Sequence, residues 1–293
     1  MPIRSWMFVP GDSEKKLAKA PELGADVLIV DLEDAVAPAA KETARTLSRE
    51  WLEYMGQHYP QQACWVRINP IDGELWRDDL RMVMPSKPAG IMVPKASGPE
   101  QLRTLMAELY EVEQRSGVAP NTTRLLPLVS ETAHAALTLT AYGDPANAMP
   151  RLLGLTWGAE DLSAAIGASR KRDANGVWTD LFRMVRAQVL LTAHAAGIAA
   201  IDTLHADFRD EDGLRRVARE SYEDGFAGML AIHPAQVPII NAAFTPSEAE
   251  LAEAQAIVDA FAAAPGVGAV QLNGRMIDQP HLDQARKLLA RAS

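Results

Sequence analysis

Residues 124–137 read RLLPLVSETAHAAL: an apolar run from Leu125 to Val129 stops on Ser130-Glu131, and a helix-like stretch starts at Thr132. A carboxylate pushed out at the tip of a buried run needs a chemical reason. Similar tips recur along the chain. Other runs end in Pro10-Gly11, Asp31-Leu32-Glu33-Asp34, Asn69-Pro70 just after Arg67, Pro94-Lys95, Trp157-Gly158-Ala159-Glu160-Asp161, Asp202-Thr203 and His233-Pro234. If these tips meet, several like charges share one mouth, and they stay ionised together only around a cation. Glu131 and Asp161 end successive runs. Adjacent strand axes lie about 5 Å apart, so one ion can bridge the two carboxylates. Oxygen ligands without a His/Cys cluster favour Mg²⁺ or Mn²⁺ over zinc.

Other readings of these residues are weaker. Alone, Glu131 would suit a helix start, where the macrodipole favours an acid; the partner Asp161 argues for a metal site. Glu131-Thr132-Ala133-His134 has Glu-x-x-His spacing, but the motif occurs once and follows a strand rather than lying in a bundle. The remaining histidines are scattered, with no His-Glu-x-x-His. DFRDEDG (207–213) lacks the closing Glu of a calcium loop and reads as an acidic helix start. The basic loop GASRKRDANG (167–176) is either a solvated surface or a place for an anionic substrate.

The tips need elements to hold them. Eight near-continuous apolar runs, at 5–10, 26–34, 64–69, 90–96, 124–131, 151–158, 198–204 and 228–234, have the look of strands covered on both faces. Amphipathic helix patterns lie between them, for example 13–23, 39–55, 99–115 and 181–197. Gly90, Gly197 and Gly228 stand just before strands, where helices end. Eight βα units most simply close into a (β/α)₈ TIM barrel with its functional face at the C-terminal strand ends. The competing open doubly wound sheet lacks a G-x-G-x-x-G after the first strand, and there is no P-loop. The rhythm breaks after Phe244. A helix (246–264), a hairpin turning at Asn273-Gly274 and a last helix (281–292) follow. The expected division is a barrel over 1–244 and a helix–hairpin–helix extension over 245–293, too short for a core of its own.

Composition narrows the function. The 293 residues are 48% apolar and 23% charged, with net charge −9. That is a globular, enzyme-sized profile. An acidic chain does not suit nucleic acid, which needs a basic face. A single cysteine, Cys64, excludes a disulfide framework or a Cys-rich metal site. Met1-Pro2-Ile3-Arg4 leads straight into the first strand without an export signal, and no window has the length and apolarity of a membrane span. A cytoplasmic location is expected.

RSWMFVPGDSEKKLAKA, VLIVDLEDAV, VRIN, LPLVSET, WGAEDLSAAIG, AIHPAQV and NGRMID occur in that order. Together they resemble the HpcH/HpaI aldolase–citrate lyase superfamily, in particular its citrate-lyase β-subunit-like branch with the malyl-CoA and citramalyl-CoA lyases. The resemblance covers nearly the whole chain. It implies a Mg²⁺-dependent homotrimer that cleaves a 3-hydroxyacyl-CoA thioester to acetyl-CoA and a 2-oxoacid. It makes Glu131 and Asp161 the metal ligands and puts Arg67 on the substrate. Glu33 and Asp34 fall in the motif around the metal's outer shell, with Glu33 expected to serve catalysis and Asp34 the substrate. Asp278 matches an acid/base that reaches a neighbouring subunit. Pro10, Gly11, His233 and Pro234 are expected to bind substrate. Two alternatives remain: a citrate lyase β-subunit acting on a thioester carried by an acyl-carrier protein, and a non-catalytic binding protein on the same barrel.

Overall fold

A computed structural model describes residues 3–292; Met1 and Pro2, expected to lead into the first strand, and Ser293, at the end of the expected extension, lie outside them. The chain divides into two compact units, Ile3–Asn241 and a second from Ala242 onward.

The first unit contains β1 (Ser5–Pro10), β2 (Val27–Asp31), β3 (Ala63–Arg67), β4 (Gly90–Val93), β5 (Arg124–Pro127), β6 (Gly154–Thr156), β7 (Ala199–Asp202) and β8 (Gly228–Ala231). All pairings are parallel, in the order β5-β4-β3-β2-β1-β8-β7-β6. The two edge strands meet through parallel bridges, Leu125 to Leu152 and Leu128 to Thr156. Leu153 N–H donates to Leu125 O at 3.0 Å and Val129 N–H to Thr156 O at 3.0 Å. The sheet thus closes as a barrel.

Both faces of the strands are buried, which is why the runs are continuous rather than alternating. Trp6, Ile29, Trp65, Met92, Leu126 and Leu230 belong to one buried cluster, and Trp6 meets Trp65 edge-on at 5.0 Å. Leu28, Val30, Val66, Ile91 and Leu125, in the alternate positions, are also fully buried. Gly90 is part of β4 rather than a helix terminator. A Cβ there would stand 2.5 Å from the Trp65 ring, so the missing side chain makes room for the indole. Gly228 likewise lies inside β8. Of the three, Gly197 alone, at φ +68°, has the left-handed backbone of a helix end.

The connecting helices are α1 (Glu14–Lys19), α2 (Lys41–His58), α3 (Trp76–Val83), α4 (Pro99–Arg115), α5 (Ala133–Thr138), α6 (Ala159–Ile166), α7 (Asp180–Ala195), α8 (Glu211–Asp224) and α9 (Gln236–Ala243). α4 opens with proline at a position whose N–H has no helical partner anyway. Asp210 caps α8 by accepting from Gly213 N–H at 2.9 Å, so DFRDEDG is a helix start. No helix among the described residues is long and apolar enough to cross a membrane.

The second unit holds α10 (Glu248–Ala263), β9 (Ala269–Leu272), β10 (Arg275–Asp278) and α11 (Gln279–Ala292). Ser247 and Glu250 form a capping box on α10. The antiparallel hairpin turns at Asn273 (φ +50°) and Gly274 (φ +79°), two left-handed residues as a type I′ turn requires. The sequence reading left this segment without a core. The structure gives it a small one, built from Ala254, Ile257, Ile277, Leu282 and Ala285.

Candidate active site

Four acids of the first unit, Glu33, Asp34, Glu131 and Asp161, gather around Lys95. Glu131 follows β5 by four residues and precedes Thr132, which caps α5 by accepting from Ala135 N–H at 3.1 Å. Asp161 does not sit at a strand tip. β6 stops at Thr156, and Asp161 is the third residue of α6, in a first turn that favours an acid. Gly158, at the start of α6, leaves room for the Glu131 side chain, because a Cβ there would lie 2.8 Å from Glu131 Cγ. Lys95 donates its main-chain N–H to Glu131 Oε2, and its ammonium pairs with Glu33 Oε1. Lys95 Nζ also lies 3.2 Å from Asp34 Oδ2 and 3.6 Å from Asp161 Oδ1.

Arg67, the last residue of β3, is held rather than loose. Its Nε–H donates to Asp31 Oδ1 at 2.8 Å and Nη2–H to Asp31 Oδ2 at 2.6 Å. Nη1 lies 2.9 Å from Glu33 Oε2, and the guanidinium covers the Phe8 ring at 4.7 Å. Asp31 in turn accepts from Glu33 N–H at 2.9 Å. The sequence showed Asp31 only as one more acid at a strand end. Its alignment opposite Arg67 in the β2–β3 register is what makes it the partner.

Electrostatics single out Glu131. It is 3% exposed. Burial first, then the charge of Asp161, push its carboxyl up to about 8, against the Lys95 N–H that favours ionisation. A carboxyl placed this way holds either a proton or a cation. Burial also pushes Glu33 upward, and Arg67 and Lys95 work against that. Arg67 and Lys95 are both raised, because the surrounding carboxylates outweigh the burial of their charges. Among the described residues no three His, Cys, Asp or Glu side chains form a metal-holding cluster. Buried Glu131, which feels the charge of Asp161, suits an ion that takes two carboxylates and completes its shell with water or substrate oxygens, as Mg²⁺ does.

Beside this group opens a cavity of about 490 Å³, lined by Phe8, Pro10, Asp31, Arg67, His233 and Pro234 among others. Of the expected substrate-binding residues, Pro10, His233 and Pro234 thus line the cavity. Gly11 is not part of the lining. Its N–H donates to Asp31 O at 2.9 Å, and a Cβ would lie 2.7 Å from Ser48 Oγ, so it serves close backbone packing. Asp34 is outside the lining too and faces Lys95. Glu33 is 2% exposed between Arg67 and Lys95, a geometry for holding cations in place. Asp202, read from the sequence as part of the mouth, is taken up elsewhere. It accepts from Trp157 Nε1 at 2.7 Å, Arg186 Nε at 2.8 Å and Ser221 Oγ at 2.6 Å. In the basic loop, Lys171 pairs with Glu160 at 2.5 Å and Arg172 stacks on Trp178 at 3.5 Å. Only Arg170 of the three cations stays exposed there. Asp278 lies in the second unit, at the end of β10, with Oδ1 2.5 Å from His281 Nδ1.

Comparison with known proteins agrees with this picture. The pattern of the HpcH/HpaI aldolase/citrate lyase family matches residues 4–234. Citramalyl-CoA lyase, mitochondrial, of Mus musculus is 33% identical over 302 residues, covering 100% of this chain and 87% of the relative. A (3S)-malyl-CoA thioesterase of Cereibacter sphaeroides is 35% identical over 295 residues, covering 99% and 95%. The crystal structure of CitE from Mycobacterium tuberculosis in complex with magnesium, acetoacetate and coenzyme A superposes with a TM-score of 0.80 at 34% identity, covering 99% of this chain and 97% of that one. A family pattern over nearly all of the barrel and relatives aligned almost end to end leave one assignment: the chain belongs to the HpcH/HpaI aldolase/citrate lyase family.

Proposed function

We propose that this protein is a Mg²⁺-dependent carbon–carbon lyase that cleaves a 3-hydroxyacyl-CoA thioester to acetyl-CoA and a 2-oxoacid. The citramalyl, malyl and citryl thioesters are its candidate substrates. The observation that carries the reading is the pairing of buried Glu131 with Asp161 beside an arginine that lines a cavity. The likeness to a citramalyl-CoA lyase and to a CitE that binds magnesium and coenzyme A supports it.

In this reading Glu131 and Asp161 hold Mg²⁺, which supplies Lewis-acid chemistry and orientation. Arg67 orients the carboxylate of the substrate's acid end. Asp31 occupies the Nε/Nη2 side of its fork, so the substrate carboxylate takes the donors left on Nη1 and Nη2. Glu33 and Asp31 keep the guanidinium from swinging. As the bond between the hydroxyl-bearing carbon and the adjacent methylene breaks, the hydroxyl loses its proton to solvent water and becomes the oxo group. The bond's electrons stay on the methylene, which must gain a proton to become the methyl of acetyl-CoA. Asp278 is our choice for that proton donor, acting in a neighbouring subunit of a homotrimer. The exposed α7 residues Leu181, Met184 and Leu191, which share one helix face, support self-association.

A second reading, thioester hydrolysis, is favoured by the thioesterase relative alone. One experiment separates them. Citramalyl-CoA, malyl-CoA and citryl-CoA are each incubated with the protein and Mg²⁺. Acetyl-CoA with an equal amount of 2-oxoacid supports the lyase. Free coenzyme A thiol with an intact hydroxy acid supports hydrolysis. Turnover only when the acyl group is carried on an acyl-carrier protein would instead make the chain a citrate lyase β-subunit, and no turnover with any of them would favour a binding protein.

A further inference from the structure

We infer that Lys95 is a positioning residue that sets both the placement of Glu131 and the cation affinity of the Glu131–Asp161 pair. The inference rests on those two carboxylates being the metal ligands. It starts from an irregularity in the sheet. Leu128 N–H donates to Val93 O at 2.9 Å, and Ala96 N–H donates to Leu128 O at 3.1 Å. In a regular parallel ladder one residue bonds to two residues that are two apart on its neighbour. Here they are three apart, 93 and 96, so the strand carries one extra residue at Pro94-Lys95. Such bulges re-aim a side chain or an amide beside functional sites.

The consequence is specific. A regular ladder would spend the Lys95 N–H on Leu128. The bulge releases it, and with φ at +50° the amide turns to Glu131 Oε2 instead. Pro94, which has no N–H, fits the other bulged position without leaving a donor unmet. The same turn sends the Lys95 ammonium to Glu33, Asp34 and Asp161. The main chain thus fixes one metal ligand and the side chain faces the other. A unit positive charge this close to Asp161 repels a divalent ion that shares the carboxylate. It therefore lowers cation affinity while it holds the geometry that turnover needs.

The test is Lys95→Met, which removes the charge and keeps the stem and the backbone. Mn²⁺ binding is read by electron paramagnetic resonance on the whole protein, and turnover at saturating metal. The expected result is Mn²⁺ binding roughly ten-fold tighter, the scale for one charge a few ångströms from a divalent ion in a hydrated setting, with kcat reduced at least about ten-fold. Lys95→Arg, which keeps the charge, should bind Mn²⁺ within a few-fold of wild type. A purely structural role would weaken metal binding and turnover together. Mn²⁺ affinity unchanged or weaker in folded Lys95→Met overturns the inference. Should that variant fail to fold, Lys95→Gln keeps a donor on Glu33 without the charge and reads the same quantity. Glu131→Ala runs alongside. If it binds Mn²⁺ as wild type does, the metal assignment falls and this inference with it. If it loses Mn²⁺ while Lys95→Met leaves affinity unchanged, the inference alone fails.

Discussion

Gly158→Ala probes the site without touching a charged group. A Cβ at this position would stand 2.8 Å from Glu131 Cγ and 3.0 Å from Glu131 Oε1. Ordinary carbon–carbon contact is about 3.5–4.0 Å, so the two must part by roughly 0.7 Å or more. The backbone at Gly158, φ −114° and ψ 98°, suits alanine, so the added strain falls on the contact. Metal–oxygen distances tolerate about 0.2 Å, several-fold less than that displacement. A misplacement of about 1 Å costs on the order of 100-fold in turnover. We expect Mg²⁺ affinity by calorimetry to weaken by roughly ten-fold or more, and kcat/KM to fall by roughly 100-fold. Overpacking of this size costs about 1–3 kcal/mol, so Tm should drop by a few degrees with the circular dichroism spectrum preserved. Gly56→Ala is the control. It makes the same chemical change on α2, where nothing lies within 4 Å, and should leave kcat/KM alone while raising stability by up to about 1 kcal/mol. Wild-type Mg²⁺ affinity and kcat/KM within two-fold in Gly158→Ala would refute the packing of Glu131 against the start of α6 as a determinant of the metal site.

Arg67→Lys keeps the charge but cannot span Asp31, Glu33 and a substrate carboxylate, and kcat/KM should fall by roughly 100-fold in a coupled assay; a few-fold change would make Arg67 structural. With the Glu131 carboxyl at about 8, Mg²⁺ must displace a proton, so apparent affinity should rise up to about ten-fold per pH unit from pH 6 and level off above about 8; titration in buffers of differing ionisation enthalpy that finds no proton release would contradict this. The same group gives the sign for stability without metal. Its folded-state affinity for the proton is raised, so its contribution is fully present below the ordinary 4.5 and is lost as pH climbs through about 8. Urea unfolding in EDTA should accordingly show lower stability at pH 8.5 than at pH 6. Mixing inactive Glu131→Ala with inactive Asp278→Ala subunits should restore part of the activity if Asp278 serves a neighbour; mixed oligomers confirmed by mass spectrometry but without activity would refute that role.

How much the sequence disclosed depends on whether the cause is local. The hairpin is legible because Asn273-Gly274 alone supplies two left-handed residues. The eight strands are legible because burial on both faces forces unbroken apolar runs. The proposed metal pair is half legible. Glu131 shows itself because an apolar run halts on an acid. Asp161 is of the right type but belongs to α6, since the strand ends at Thr156 and Gly158 caps the helix. What stays hidden is set by register and packing. The Asp31–Arg67 clamp needs β2 and β3 aligned residue for residue. The withdrawal of Asp202 from the mouth depends on Trp157, Arg186 and Ser221 arriving from three other segments. The bulge at Lys95 appears only once the partner residue Leu128 is known. Gly90 was misread as punctuation because its cause, the Trp65 ring, lies on another strand.

The claim on which the rest depends is that Glu131 and Asp161 together hold a divalent ion. Isothermal titration of Mg²⁺ into wild type, Glu131→Ala and Asp161→Ala, with folding checked by circular dichroism, tests it most directly. The account predicts one site per chain in wild type and no measurable binding in either variant at the same concentrations, with both variants folded. Wild-type Mg²⁺ affinity in either folded variant would contradict it.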